Sequence, residues 1–239
     1  MDLEKLLVDS CNELGISIND TQVKQFFKYK ELLIEWNQKM NLTAITEDKE
    51  VILKHFVDSV SLSKGIDLDR EIDVIDVGTG AGFPGMPVKI AFPKIRITLL
   101  DSLNKRINFL QNVSHELYLE NVNCIHSRAE DGGQSNALRE SFDLCISRAV
   151  ADLSVLCEYC LPFVKVGGNF ISLKGPDVEE EIEGAKNGIS KLGGEIIDVM
   201  KINIPNSDIT HSLITIKKIS QTPTVYPRKA GKITKNPLK

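Results

Sequence analysis

The chain has no apolar run approaching the roughly 20 residues that a membrane-spanning helix requires. Its start, MDLEKLLVDS, is acidic and lacks the apolar core of a secretory signal. A soluble, cytoplasmic protein is expected. Cysteines are few, odd in number and irregularly spaced (Cys11, Cys124, Cys145, Cys157, Cys160), several of them within aliphatic segments, which argues against a disulfide framework. Cys157 and Cys160 form a CxxC in LSVLCEYCLPF, but no second pair and no nearby histidine completes a metal site. Core packing is the expected role and no metal is expected. No internal repeat is visible. Acidic residues stop at Asp208; beyond it Lys217, Lys218, Arg228, Lys229, Lys232, Lys235 and Lys239 are all basic, although the whole chain carries −4. That basic end is either a polyanion contact or a solvated tail.

What is present is ordinary globular material: 239 residues, 42% hydrophobic and 26% charged, enough for one principal domain. Between Asp20 and Met40 the apolar residues Val23, Phe26, Phe27, Leu33, Ile34 and Trp36 recur at helical spacing, with Asn19 or Asp20 placed to cap. A second helix is expected after Thr46 as its cap, with Ile52, Leu53, Phe56, Val57 and Val60 on one face. These make an N-terminal helical cap, residues 1–65, packed on a body of residues 66–220 and followed by a basic segment, 221–239. From residue 72 onward strands alternate with helices. Strands are expected at 72–77, 95–101, 122–126, 142–147 and 168–174, which implies a mostly parallel sheet covered on both faces. GGEIIDVMKINI and HSLITIKKI, separated by turn residues, predict a closing antiparallel hairpin. The fold class is α/β, a seven-stranded Rossmann-like sheet of the class I S-adenosylmethionine-dependent methyltransferase kind, distinct from the six-stranded dinucleotide fold.

The stretch IDVIDVGTGAGFPG places four glycines in eight residues after the first strand. Read from Gly80 it satisfies GxGxxG, with Asp101 near the place of a ribose carboxylate, the dinucleotide fingerprint. Read from Asp76 it is an acid followed by GxGxG at Gly78, Gly80 and Gly82, the pattern of S-adenosylmethionine sites. A dinucleotide would bring its pyrophosphate to the helix N-terminus, where a neighbouring carboxylate repels it. The methionine end of S-adenosylmethionine carries an ammonium that a carboxylate attracts, so Asp76 favours that cofactor. Pro84 is expected in the first turn of the next helix, which needs no amide donor. Asp101 could serve a ribose of either cofactor, or simply cap a helix. Ala129 and Glu130, in HSRAED, stand where an adenine would be gripped, although Glu130 and Asp131 could equally be surface charges.

After the fourth strand there is no Asn/Asp-Pro-Pro-aromatic signature of exocyclic-amine methylation; DLCISRAVADL carries Arg148 there instead. No cysteine stands in a proline-flanked loop, which argues against carbon-5 pyrimidine chemistry. A ring nitrogen such as guanine N7 has an in-plane lone pair and no proton to lose. It needs positioning and charge screening, which an arginine supplies. A plain ion-pair role is the alternative for Arg148. Lys174 ends the fifth strand at the edge where ligands bind. His55, with Asp58 and Ser59, lies beside an apolar helix stripe.

EWNQKMNLTAIT, KHFVDS, VIDVGTGAGFPGMP, LLDSLNKRINFL, SRAED, SRAVA and YPRKAGKITKNPL together resemble the RsmG (GidB) family of 16S ribosomal RNA methyltransferases. The resemblance implies methyl transfer from S-adenosylmethionine to guanine N7, with 16S rRNA or the small ribosomal subunit as partner; a monomer is expected. It implies Gly78 and Phe83 as cofactor contacts, Ala129 and Glu130 as the adenine clamp, and Arg148 bridging cofactor and target. Asn41, His55, Arg128 and Lys174 fall in matching segments that would face RNA. Lys174 is further expected to serve catalysis with Arg148, and Arg228 and Lys229 to touch RNA. Thr79 departs from the commoner serine or alanine, with little consequence for so small a side chain. Two other readings stay open: an NAD-dependent dehydrogenase using Gly80 onward, and a non-catalytic RNA-binding ribosome assembly factor.

Overall fold

The computed structural model describes residues 2–148 and 151–238. Seven strands form one sheet: β1 Asp73–Val77, β2 Arg96–Asp101, β3 Val122–His126, β4 Phe142–Arg148, β5 Val164–Lys174, β6 Gly194–Asn203 and β7 Thr210–Lys218, in spatial order β3-β2-β1-β4-β5-β7-β6. The first five run parallel, and β7 is antiparallel to both its neighbours. The near-continuous aliphatic character of β1, β2 and β4 follows from their being buried on both faces. The order reverses between β1 and β4, the place where open α/β sheets leave a crevice at their carboxyl ends.

The helices are α1 Leu3–Glu13, α2 Asp20–Met40, α3 Asp48–Glu50, α4 Asp58–Val60, α5 Gly85–Ala91, α6 Asn104–Glu116, α7 Ala129–Gln134, α8 Leu153–Cys160, α9 Glu179–Lys191 and α10 Ala230–Lys235. One core gathers Leu7, Phe26, Leu33, Ile52 and Phe56 with Val74, Leu99 and Phe109, so the N-terminal helices share their interior with the sheet. The other face packs α8 and α9 through Leu156, Cys160, Phe163 and Ile189. Each fully buried side chain of this size contributes about 1.5–3 kcal/mol.

Several boundaries differ from the sequence expectation. Helix α1 was not expected; Asp2 caps it, and it buries only Leu7, Ser10 and Cys11, a stripe too thin to stand out. Asn19, not Asp20, caps α2, in a reciprocal capping box with Gln22. The next helical segment is capped by Glu47 rather than Thr46. It then widens to π spacing over Val51–Val57 before α4, an irregularity associated with functional sites. Pro84 stands just before α5 rather than inside its first turn. Strand β5 begins at Val164, ahead of the expected 168.

Burial pushes the Cys157 and Cys160 thiols well above their ordinary values, as suits packed cysteines. Among the described residues no cluster of His, Cys, Asp and Glu could hold a metal, and no helix is long and apolar enough to cross a membrane. Lys218 is fully buried and donates to the carbonyls of Leu161 (2.7 Å) and Val164 (3.0 Å), while pairing with Glu140 at 3.0 Å. Lys218→Ala removes the donor from both carbonyls and the cation from Glu140, which keeps its bond from Thr222 N, and is expected to cost about 1–3 kcal/mol, measured by urea denaturation.

Candidate functional site

The loop after β1 is held by two carboxylates. Asp76 is fully buried beneath it, and its Oδ2 accepts from Thr79 Oγ1 (2.7 Å) and Gly85 N (2.9 Å). Asp101, at the end of β2, accepts from Gly80 N (2.9 Å), Leu103 N (2.8 Å) and Arg106 (3.3 Å). Gly78, Gly80 and Gly82 all take positive φ, which other residues adopt at a cost. At Gly82 a Cβ would lie 2.5 Å from Tyr29 Oη, whereas at Gly80 it would meet nothing within 4 Å. Thus one side of the loop is packed against α2 and the other is open. Tyr29 also donates to the Ala81 carbonyl, which ties α2 directly to the loop.

The amides of Gly78 and Thr79 bond Leu100 O, those of Gly82 and Phe83 bond Thr79 O, and those of Gly80 and Gly85 bond the two aspartates. Six loop donors that a diphosphate would need are therefore already spent. Burial holds the Asp76 carboxyl up at about 6, against the lowering effect of its two donors. Its Oδ1 has no hydrogen-bond partner among the described residues.

Two cavities flank the strand-order reversal. The first, about 330 Å³, lies over the ends of β1, β2 and β3 and is lined by Gly78, Asp101, Ala129, Glu130, Leu156 and Tyr159, among others. The second, about 400 Å³, lies over β4, β5 and β7 and is lined by Lys54, His55, Asp58, Arg148, Lys174 and His211, with apolar walls from Ile45, Leu173 and Ile209.

Arg148 organises the second cavity. Its Nη1 donates to Asp58 Oδ2 (2.7 Å) and Lys54 O (3.1 Å), and its Nη2 donates to His55 Nδ1 at 3.2 Å. Its guanidinium lies 5.1 Å from the Phe83 ring centroid. His55 stacks on that same ring, centroids 4.2 Å apart. With Nδ1 accepting from Arg148, the histidine proton sits on Nε2, directed to Thr43 Oγ1 at 2.9 Å. Burial first, and the Arg148 charge second, lower His55 to about 4, so its ring is neutral at physiological pH. Asp58, 1% exposed, also bonds His211 of β7 through Oδ1. Lys174 pairs with Glu181 (2.7 Å) and donates to Ala151 O.

Of the residues singled out from sequence, Gly78, Asp101, Ala129, Glu130 and Arg128 line the first cavity, and Arg148, His55 and Lys174 the second. Phe83 lies against Arg148 and His55; Asp76 lines neither cavity and holds the loop from below. Asn41 is the left-handed residue ending α2. Lys229 is exposed, but Arg228 makes a multiple ion pair with buried Glu158, and neither of the pair lines either cavity. Sequence reasoning passed over Tyr29, Thr43, Tyr159 and His211. Only Asp58 carried a signal, standing one helical turn from Lys54 and His55.

The family model described as GidB, rRNA small subunit methyltransferase G, matches residues 22–210. A protein named ribosomal RNA small subunit methyltransferase G from Alkaliphilus metalliredigens (strain QYMF) is 57% identical over 239 residues, 100% of both chains. Its namesake from Acetivibrio thermocellus is 53% identical over 236 residues, 99% of this chain and 97% of that one. Among solved structures, M. jannaschii TYW2 in complex with AdoMet superposes with a TM-score of 0.53 at 18% identity, covering 68% of this chain and 77% of that one. A SAM-dependent O-methyltransferase from Thermotoga maritima gives 0.53 at 16%, covering 80% and 72%. At these identities the structural likeness is one of fold.

The two shifted groups have opposite consequences for stability. The folded pKa of His55, about 4, lies below its ordinary 6.5, so the unfolded chain binds more protons between those values and stability falls as pH drops through that window. Asp76, at about 6 against an ordinary 3.8, adds stability as pH falls below about 6. Urea denaturation at pH 7 and pH 5 should show His55→Gln gaining on the wild type at the lower pH, and Asp76→Asn losing, each by on the order of 1–2 kcal/mol.

Proposed function

We propose, because this chain belongs to the GidB family of rRNA small subunit methyltransferases, that it transfers a methyl group to N7 of a guanine in 16S rRNA. It is an S-adenosylmethionine-dependent rRNA methyltransferase. An rRNA substrate supports the reading that it works in the cytoplasm.

The residues over the β1–β3 cavity suit that cofactor. Asp76 lines neither cavity, so it acts on a ligand through the loop it braces and through its negative charge, which favours an ammonium and repels a diphosphate. The loop amides are already bonded, so a pyrophosphate would find few donors, and this weighs against the dehydrogenase reading. Asp101 has lone pairs remaining for ribose hydroxyls, Ala129 and Glu130 stand at the adenine end, and the open side of Gly80 lets main chain approach the ligand. When bound, S-adenosylmethionine supplies an electrophilic methyl on its sulfonium.

The single observation that carries the N7 assignment is the state of the second cavity. His55 is neutral and bonded at both nitrogens, Asp58 is held by Arg148 and by Nδ1 of His211, Lys54 by Glu50, and Lys174 by Glu181. That leaves His55 and Asp58 committed to the arginine rather than free to take a proton from an amine, and among the described residues no cysteine lines the cavity to activate a pyrimidine carbon. A ring nitrogen asks for neither. Lys54, Arg148 and Lys174 present positive charge toward a base whose O6 and N7 are acceptors, and Arg148 screens the charge that methylation puts on the purine. The stacked Phe83 and His55 rings keep the guanidinium in place and exclude water. In this reading residues 1–65 furnish a wall of the target cavity, residues 66–220 hold the cofactor, and exposed Lys229 meets the RNA backbone.

Labelled methyl should transfer from S-adenosylmethionine to 16S RNA or small subunits, with the label at a site cleaved by N7-specific chemistry. Label on an exocyclic amine or a pyrimidine carbon would overturn the N7 assignment. Arg148→Ala is expected to lower kcat/KM about 100- to 1,000-fold. Adenosylhomocysteine, and not NAD, should raise the melting temperature of the chain.

A further inference from the structure

The segment after β7 is basic, and by charge it reads as an arm for RNA. Its inward contacts describe a different job. Arg139, between α7 and β4, donates to Gly133 O and Tyr226 O at 2.8 Å each, and to Thr222 O at 2.6 Å and Pro223 O at 3.3 Å. Gln134, the last residue of α7, donates to Thr224 O (3.2 Å) and Pro227 O (3.0 Å). Pro227 packs so closely on α7 that a Cβ at Gly133 would lie 3.0 Å from its ring. One residue further, Arg228 reaches α8: Glu158, fully buried, accepts from Arg228 N (2.8 Å), Nε (2.9 Å) and Nη2 (2.6 Å).

These contacts converge on two helices that share a cavity. Helix α7 opens with Ala129 and Glu130, and α8 carries Leu156 and Tyr159, the neighbour of Glu158; all four line the cavity over β1–β3. A chain segment bonded to the far end of α7 and to a buried acid of α8 fixes the distance between those walls. The acid itself argues for this purpose, because a carboxylate with no exposure is retained only where a partner is supplied, and among the described residues that partner is Arg228 of the segment.

We propose that residues 222–228 form a strap that sets the spacing of the adenosine end of the cofactor site, with Glu158, Arg228 and Gln134 as positioning residues. The inference rests on the reading of the β1–β3 cavity as the cofactor site. It assigns Arg228 inward, while Lys229, Lys232 and Lys235, all exposed, remain on the outer side of the same segment.

The test measures adenosylhomocysteine binding by calorimetry without RNA, and 16S RNA binding at fixed salt, on the full chain. Arg228→Gln and Glu158→Gln are expected to weaken adenosylhomocysteine roughly 5- to 30-fold, with RNA affinity within about twofold of wild type. In steady state the cofactor KM should rise with kcat little changed. Gln134→Ala cuts two strap bonds without stranding a buried charge; a smaller loss in the same direction is expected, and it decides the matter if the other two variants fail to fold. Unchanged adenosylhomocysteine affinity in every folded variant, even with a lowered melting temperature, overturns the strap. So does a fall in RNA affinity and its salt dependence with cofactor binding intact, which would make Arg228 an RNA contact. A wild-type chain that does not bind adenosylhomocysteine ends the cofactor reading and the strap with it, whereas a wild type that binds beside variants that bind equally ends the strap alone.

Discussion

The ion pair between Arg148 and Asp58 joins three parts of the molecule that are distant in sequence. Arg148 ends β4, Asp58 opens α4, and His211 of β7 bonds the second oxygen of the same carboxylate. Removing such charges from water is costly unless geometry and further hydrogen bonds offset it. Here the Lys54 carbonyl, His55 and the Phe83 face complete the arginine's surroundings. The position of the guanidinium thus depends on the N-terminal helices, on the loop that carries Phe83, and on the closing hairpin together.

That dependence explains why residues 1–65 cannot be regarded as a separate accessory in physical terms. Tyr29 bonds the loop carbonyl of Ala81, Phe26 and Phe56 lie against each other at 5.1 Å, and the Phe56 ring is in turn near Phe83. The widened helical turn at Val51–Val57 presents Lys54 and His55 to the cavity while burying Val51, Ile52, Leu53, Phe56 and Val57 around them. Packing and site geometry are the same contacts viewed from opposite sides.

Much of this was legible in the sequence where the information is local. Strands β1, β2 and β4 are largely aliphatic runs closed by turn residues, and Asp76, Asp101 and Arg148 stand at or next to their ends, with Glu130 a few residues past β3, so their placement at the sheet's carboxyl edge followed from the alternation. Partnerships were not legible, because they span the chain: Asp58 meets Arg148 across 90 residues and His211 across 153, and Tyr29 meets Ala81 across 52. Local pattern also shows only one of two roles where both meet at one residue. Asp76 looked like a ligand for an incoming ammonium, yet its Oδ2 braces Thr79 and Gly85, and only Oδ1 is left over. Arg228 looked like a phosphate contact, since nothing in YPRKAG announces a buried acid in α8.

The glycine loop's saturated amides have one more consequence. A turn whose donors are bonded to Leu100 O of β2, to Thr79 O and to two aspartates has lost its conformational entropy at folding, before any ligand arrives. Exchange of spent for fresh cofactor then demands no melting and re-annealing of the backbone, and affinity is governed by the walls on the open side of Gly80 rather than by the hinge beneath it.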